Sequence, residues 1–330
     1  MSGQSSKKII TVVGSTGCQG GSVAETFLTD AKLKNEWTVR GITRDTAKEA
    51  SKKLASAGAD MVAADVNDTA SLVKAFSGSD TVFAVTDYWG AAGMKKDVEI
   101  QQGKNLVDAA KEAGIKHFIL STLYNATEMT NGKLPNIEHF DSKAEVSKYA
   151  AASGLPTTYF LAGCYMDNFP AMFRAADDDN NSNNNQPKTT WTLSIPLSPA
   201  GHIPLFSPRD DTGKFVKGIV ARRDALLGAD VRAATARYSP ADLLDGWRAA
   251  FPGTPAAVRH VPDDQHVALL RGLGLPPHGA VELNENFRLM DGAFDYYGGK
   301  PLSLDVLVDG DRPTTWTEFA KKNPAFKDLV

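Results

Sequence analysis

Gly14-Ser15-Thr16-Gly17-Cys18-Gln19-Gly20-Gly21 has the composition of a phosphate cradle. Its glycines fall at G-x-x-G-x-x-G. One serves a tight turn, one lets backbone approach a pyrophosphate, and one allows close helix–strand packing. A helix opening there aims free N–H groups and the positive end of its dipole at the phosphates. No Walker lysine follows, which disfavours a P-loop nucleotidase. Further along, Ile42-Thr43-Arg44 stands where an NAD site carries Asp or Glu for the ribose 2′-hydroxyl. A guanidinium forks onto phosphate oxygens. Arg44, with Lys48 one turn on, therefore suits a 2′-phosphate, and the expected cofactor is NADP(H). The plain alternative is a solvated charge balanced by its neighbour Asp45.

Other candidates end successive apolar runs. Asp65 and Val66 follow one run, and the Asp65 carboxylate suits an adenine amino group. Thr86-Asp87-Tyr88 follows the next, and Ser121-Thr122 the one after. His139 and Lys143 are four apart, so a helix would place them on one face. A lysine there can hold nicotinamide ribose hydroxyls. One turn before it, a reductase would place a proton donor, ideally a tyrosine whose phenol the ammonium acidifies. This chain has His139 instead. Imidazole donates protons near neutrality, although a neighbouring cation opposes that. A surface lysine and a structural histidine are the bland alternatives. Tyr124 and Tyr165 are further candidate donors that sequence does not place. Cys18 sits where a helix N-terminus lowers a thiol pKa, but a small residue filling the turn is the simpler reading. The remaining histidines show no metal-ligand spacing, so no metal is expected.

These residues need a scaffold, and the first half supplies one. Strand-like runs at Ile9–Val13, Trp37–Ile42, Met61–Ala64, Thr81–Val85, His117–Ser121 and Thr157–Leu161 alternate with helix-like segments. The segments are Val23–Leu28, Ala47–Ala57, Thr69–Phe76, Asp97–Ala113 and Glu138–Ala152, the last two closed by Gly114 and Gly154. That alternation predicts βαβ units, hence an α/β fold: a Rossmann-type doubly wound parallel sheet. The rhythm changes after Cys164. Asp177 to Gln186 reads DDDNNSNNNQ, a polar stretch unable to bury apolar surface. Strands are expected at Trp191–Ile195 and His202–Phe206. Helices are expected at Gly213–Ala221, Ala241–Ala250, Asp264–Leu270, Glu285–Tyr296 and Thr315–Ala320. We expect a dinucleotide-binding domain over 1–165 and a smaller α/β domain for substrate or partner over 166–330. Some segments of 205–260 are expected to return to the first.

Composition narrows the function classes. The chain has 330 residues, 42% hydrophobic and 23% charged, as an ordinary globular protein does. A net charge of −3 lacks the basic stripe of a nucleic-acid binder. Two cysteines form no disulfide framework, so a reducing compartment is expected. MSGQSSKK has no apolar core of a signal peptide. No apolar run approaches the roughly 20 residues of a membrane helix. The cytoplasm is the expected location, with the nucleus also open, and monomer and homodimer both remain open.

Gly14 to Ala24, Thr43-Arg44, Thr86-Asp87-Tyr88-Trp89, His139-Phe140-Asp141-Ser142-Lys143 and Cys164-Tyr165-Met166-Asp167-Asn168-Phe169 together resemble the NmrA-like family of atypical short-chain dehydrogenases/reductases. The likeness runs from about Lys8 to the C-terminus. It implies a cofactor between two domains, with NADP held by Gly14, Ser15, Thr16, Gly17, Cys18, Gln19, Gly20, Arg44, Lys48, Asp65, Val66, Thr86, Asp87, Tyr88, Lys143, Tyr165, Met166, Asp167 and Asn168. Cys18 departs from the pattern, where alanine is common, and so does Gln101, where a relative has lysine. The usual tyrosine of a Tyr-x-x-x-Lys pair is replaced by His139. Two readings follow. The missing tyrosine favours a redox-sensing regulator whose NADP(H) occupancy changes its affinity for protein partners, without direct contact to nucleic acid. The alternative is an NADPH-dependent reductase of a small carbonyl, enone or aromatic substrate. It would use Lys143 as catalytic residue, with Ser121, Thr122 or His139 assisting with protons.

Overall fold

The apolar runs of the first half become parallel strands in a computed structural model that describes residues 6–175 and 190–327. They are β1 (Lys8–Val12), β2 (Trp37–Thr43), β3 (Asp60–Ala63), β4 (Thr81–Ala84), β5 (His117–Thr122) and β6 (Thr157–Ala162). β5 is buried along its whole length, as a central strand covered on both faces should be. The second half adds β7 (Cys164–Tyr165), β8 (Phe173–Ala175), β9 (Trp191–Ile195), β10 (Ile203–Phe206), β11 (Asp230–Ala233), β12 (Ala236–Tyr238) and β13 (Ala256–His260). The large sheet runs β11-β6-β5-β4-β1-β2-β3. Strand order reverses between β1 and β4, so a crevice opens at their carboxyl ends. That fold is the expected Rossmann-type α/β architecture.

Two elements of the second half lie on this sheet. β11 pairs in parallel with β6. The Pro208–Ala221 helix packs against the first helix, Cys18–Thr29, with its Gly213 amide donating to Ser22 Oγ at 3.0 Å. A Cβ on Gly213 would lie 2.0 Å from Thr26 Oγ1, so only glycine permits this approach. The remaining strands form two three-stranded sheets, β12-β10-β7 and β13-β9-β8. An aromatic core fills the space beneath them, with Phe173 stacked on Trp247 at 4.6 Å. The C-terminal Trp316–Lys322 helix closes it through a Thr315–Glu318 capping box. Trp316 is fully buried, and its indole N–H donates to Leu243 O at 3.0 Å.

Three helices differ from expectation, and one of them, expected from Gly213, starts five residues earlier at Pro208, where proline presets the first turn. The first starts at Cys18, five residues before Val23, because Gly17 takes the extended N-cap conformation. The helix expected over Glu285–Tyr296 instead occupies Pro277–Arg288. Pro277 supplies a preset first-turn φ, and the chain turns at Gly292 with φ +43°. The Asn-rich stretch 177–186 lies outside the described residues.

Candidate functional site

The glycine turn joins β1 to the first helix. Gly14 has φ +67°, and the Gly17 amide donates back to Gly14 O at 2.8 Å. A Cβ on Gly20 would lie 2.3 Å from Gly14 O, so a side chain there would break the turn. Ser15 faces inward, its hydroxyl donating to Ile42 O at 3.1 Å and tying the turn to the end of β2. Gly14, Thr16, Gly17, Cys18, Gln19 and Gly20 line a cleft of about 550 Å³. Burial pushes the Cys18 thiol pKa up, and the backbone hydrogen bond at Gln19 lowers it less. The helix terminus therefore does not make Cys18 a ready thiolate.

Arg44, Lys48, Asp65 and Val66 line the same cleft at the ends of β2 and β3. Asp45 does not pair with Arg44; its carboxylate accepts from the Ala47 amide at 2.8 Å. Asp65 is turned onto Asn67, whose backbone and side-chain nitrogens both donate to it at 2.9 Å. Two buried acceptors in the cleft wall, Gln19 Oε1 and Gln102 Oε1, have no partner among the described residues. Buried polar atoms are rarely left so.

At the ends of β4 and β5, Thr86, Asp87, Tyr88, Ser121 and Thr122 line the cleft, and the Glu138–Ser153 helix adds Lys143. Lys143 is not a free surface charge. Its ammonium pairs with fully buried Glu99 and donates to Thr86 Oγ1 at 3.2 Å. Glu99 also accepts from Thr86 Oγ1 at 2.7 Å and from Ser142 Oγ. Thr122 Oγ1 is occupied by Ser147 Oγ at 2.6 Å and Lys143 O at 3.0 Å. Glu99 was not a sequence candidate. Its signal was a charge in line with Gln102, Gly103, Leu106 and Val107 on the buried face of the Lys96–Glu112 helix. Asp141, in the motif around Lys143, is buried and anchors the helix to Thr127 Oγ1 at 2.6 Å and Lys96 at 3.3 Å.

His139 lines the cleft one turn before Lys143. Its backbone N–H and its Nδ1 both lie 2.7 Å from Glu282 Oε1. A carboxylate only accepts, so Nδ1 carries a proton and Nε2 is left for the cleft. Glu282 belongs to the Pro277–Arg288 helix and was not a sequence candidate. Neither were Trp89, Leu283, Asn286 and Tyr296, which complete this end of the cleft. Trp89 stands 5.4 Å from the His139 ring. The Tyr88 hydroxyl donates to Glu138 at 3.1 Å, and burial with these carboxylates holds its proton tightly. Tyr165 lines the cleft with its hydroxyl held by Gln19, and burial raises its pKa too. Tyr124 is elsewhere, bonded to Asp230 at 2.8 Å. Asn168 reaches the wall; Met166 is buried in the aromatic core, and Asp167 is exposed off the wall.

Fold and cleft place the chain among doubly wound α/β proteins with a glycine-rich turn at the switch point. Residues 6–320 match the NmrA-like family, and the chain belongs to that family. It is 33% identical over 227 residues to the NmrA-like family domain-containing oxidoreductase lnaB of Aspergillus flavus, covering 64% of each chain. The match thus spans just under two thirds of that relative's length. The crystal structure of NmrA, a negative transcriptional regulator, in complex with NADP superposes with a TM-score of 0.75 at 21% identity, covering 98% of both chains. An NADPH-dependent quinone oxidoreductase of Escherichia coli complexed with NADPH gives 0.70 at 22% identity, covering 97% of this chain and all of that one. Among the described residues, no helix is long and apolar enough to cross a membrane, and no three His, Cys, Asp or Glu side chains group as a metal site.

Proposed function

We propose that this protein is an NADPH-dependent reductase of a small organic substrate. The carrying observation is that one cleft joins the glycine turn and Arg44 to an aromatic chamber holding the His139–Glu282 pair. The residues fit NADP(H). The first-helix amides and the glycine turn receive a pyrophosphate. Arg44 and Lys48 line the cleft, with the Asp45 carboxylate engaged by the Ala47 amide, and receive the 2′-phosphate. The unpaired oxygens of Gln19 and Gln102 await donors. When bound, the reduced nicotinamide supplies a hydride. Lys143, steadied by Glu99, holds ribose hydroxyls. His139, when doubly protonated, is the proton donor: Nδ1–H is held by Glu282, and Nε2–H is left for the cleft. Ser121 contributes polarity to the wall, whereas the Thr122 hydroxyl is already engaged. The names of the curated oxidoreductase and the quinone oxidoreductase agree with this reading.

The second reading is a cofactor-occupancy regulator acting through a protein partner. The replacement of the usual tyrosine by His139 favours it, as does the likeness to NmrA. It requires that the partner distinguish bound from free forms. The test is NADPH oxidation over a panel of aldehydes, quinones and enones, beside NADPH binding by fluorescence. Turnover that Lys143→Ala abolishes supports the reductase. Binding without turnover supports the regulator.

A further inference from the structure

We infer that the chamber beyond Lys143 takes a flat, uncharged conjugated ketone, an enone or a quinone, and that His139 and Asn286 are the two donors gripping its oxygen. This rests on the reductase reading above. Asn286 lines the cleft, is only 8% exposed, and buries its amide nitrogen without a partner among the described residues. A buried donor without a partner is costly and rare in folded proteins, so its position calls for an acceptor from a ligand. Asn286 lies four residues after Glu282, on the same face of the Pro277–Arg288 helix. Glu282 is the residue that fixes His139. The amide and imidazole Nε2 therefore belong to one corner of the cleft.

The walls define the rest of the ligand. Trp89, Leu283 and Tyr296 are apolar or aromatic, and the Tyr296 hydroxyl is already engaged, donating to Ala162 O at 3.1 Å. Flat π-systems pack well against such rings. The charges nearest this end are already compensated. Lys143 is paired with Glu99, and the Asp87 carboxylate accepts from the Gly90 and Ala91 amides at 3.0 and 3.1 Å. A substrate charged anywhere but at the gripped oxygen would find no counter-ion among them.

The chemistry balances on an enone. Hydride from the reduced cofactor forms a C–H bond at the β-carbon, and the cofactor is left oxidised. The C=C pair shifts to form the enolate double bond, and the carbonyl π pair moves onto oxygen. That oxygen takes the Nε2 proton of the His139 imidazolium, whose charge Glu282 compensates. The enol tautomerises to the saturated ketone, and solvent reprotonates His139. Asn286 donates to the oxygen as its charge develops, where a preorganised donor acts most strongly.

The probe is 4-nitrophenol, a flat oxyanion mimic whose phenolate is coloured, titrated into the protein without cofactor. We expect binding with a shift toward the phenolate. Asn286→Ala and His139→Phe should each weaken it about tenfold to a hundredfold, the fold-change of a hydrogen bond to a charged group worth 1.5–3 kcal/mol. Unchanged NADPH affinity in both variants shows that the fold is intact. No binding by the wild type, or the same phenolate shift in both variants, overturns the inference. NADPH oxidation with enones or quinones that both variants retain overturns it too, while the reductase reading stands. Phenolate binding that depends on Asn286, with no NADPH oxidation on any enone or quinone, upholds the chamber and removes the reductase reading.

Discussion

Glu99→Gln removes the carboxylate on which Thr86, Ser142 and Lys143 converge. The carboxylate is fully buried and the lysine only 13% exposed, so water replaces the lost partner only in part. Breaking a buried ion pair from one side costs about 3–5 kcal/mol. Because the ammonium keeps some access to solvent, we expect the lower end, about 3 kcal/mol. For 330 residues, an unfolding entropy near 2.1 cal/mol/K per residue makes that about 4 °C in Tm. Lys143→Met should cost a similar amount, since it strands Glu99 in the interior. The double variant should be less destabilised than the two singles added together, by about 2 kcal/mol, because neither group is then left unpaired. Urea unfolding followed by tryptophan fluorescence gives all four corners of the cycle. Additivity within about 0.5 kcal/mol would refute the claim that these two charges hold each other.

Arg44→Ala should weaken NADPH binding by about tenfold to a hundredfold, the worth of a charge-assisted contact, and leave NADH binding nearly unchanged; equal losses would exclude a 2′-phosphate contact. His117 is buried beside Arg223, and burial first, the guanidinium second, depresses its pKa from 6.5 to about 4. Between those values the unfolded chain binds the extra proton, so stability should fall as pH drops from about 6.5 to about 4 and stay level above. The total loss across that window amounts to roughly 3 kcal/mol, and denaturation midpoints across pH should show it vanish in His117→Gln. Cys18, its thiol pKa raised by burial, should react with iodoacetamide near neutral pH more slowly than glutathione does; rapid stoichiometric labelling would contradict that assignment.

What the sequence made legible is what neighbours in the chain specify. The glycine turn, the arginine after the second strand and the His139–Lys143 spacing are local patterns, and the cleft gathers all of them. The partners that define their chemistry are not local. Glu99 lies 44 residues from Lys143, and Glu282 lies 143 residues from His139. Nothing in periodicity announces such a pairing, although a carboxylate on a buried helical face was a visible anomaly. Displacing the expected Glu285–Tyr296 helix to Pro277–Arg288 had a direct consequence for the site. The helix in its true place carries Leu283 and Asn286 into the cleft wall and sets Glu282 behind His139. The Pro276-Pro277 pair marks where the helix starts. Met166 shows the opposite failure. Its neighbours Tyr165 and Asn168 face the cleft, but the short turn between them sends its side chain into the aromatic core.

Hydride delivery within this cleft is the central claim, and isotope transfer tests it most directly. The protein is incubated with NADPH deuterated at the transferable nicotinamide position and with an enone, and the product is analysed by mass spectrometry. The account predicts a saturated ketone carrying one deuterium at the β-carbon, formed by the wild type and lost in His139→Phe. NADPH bound at the cradle with no deuterium reaching any enone or quinone would contradict it.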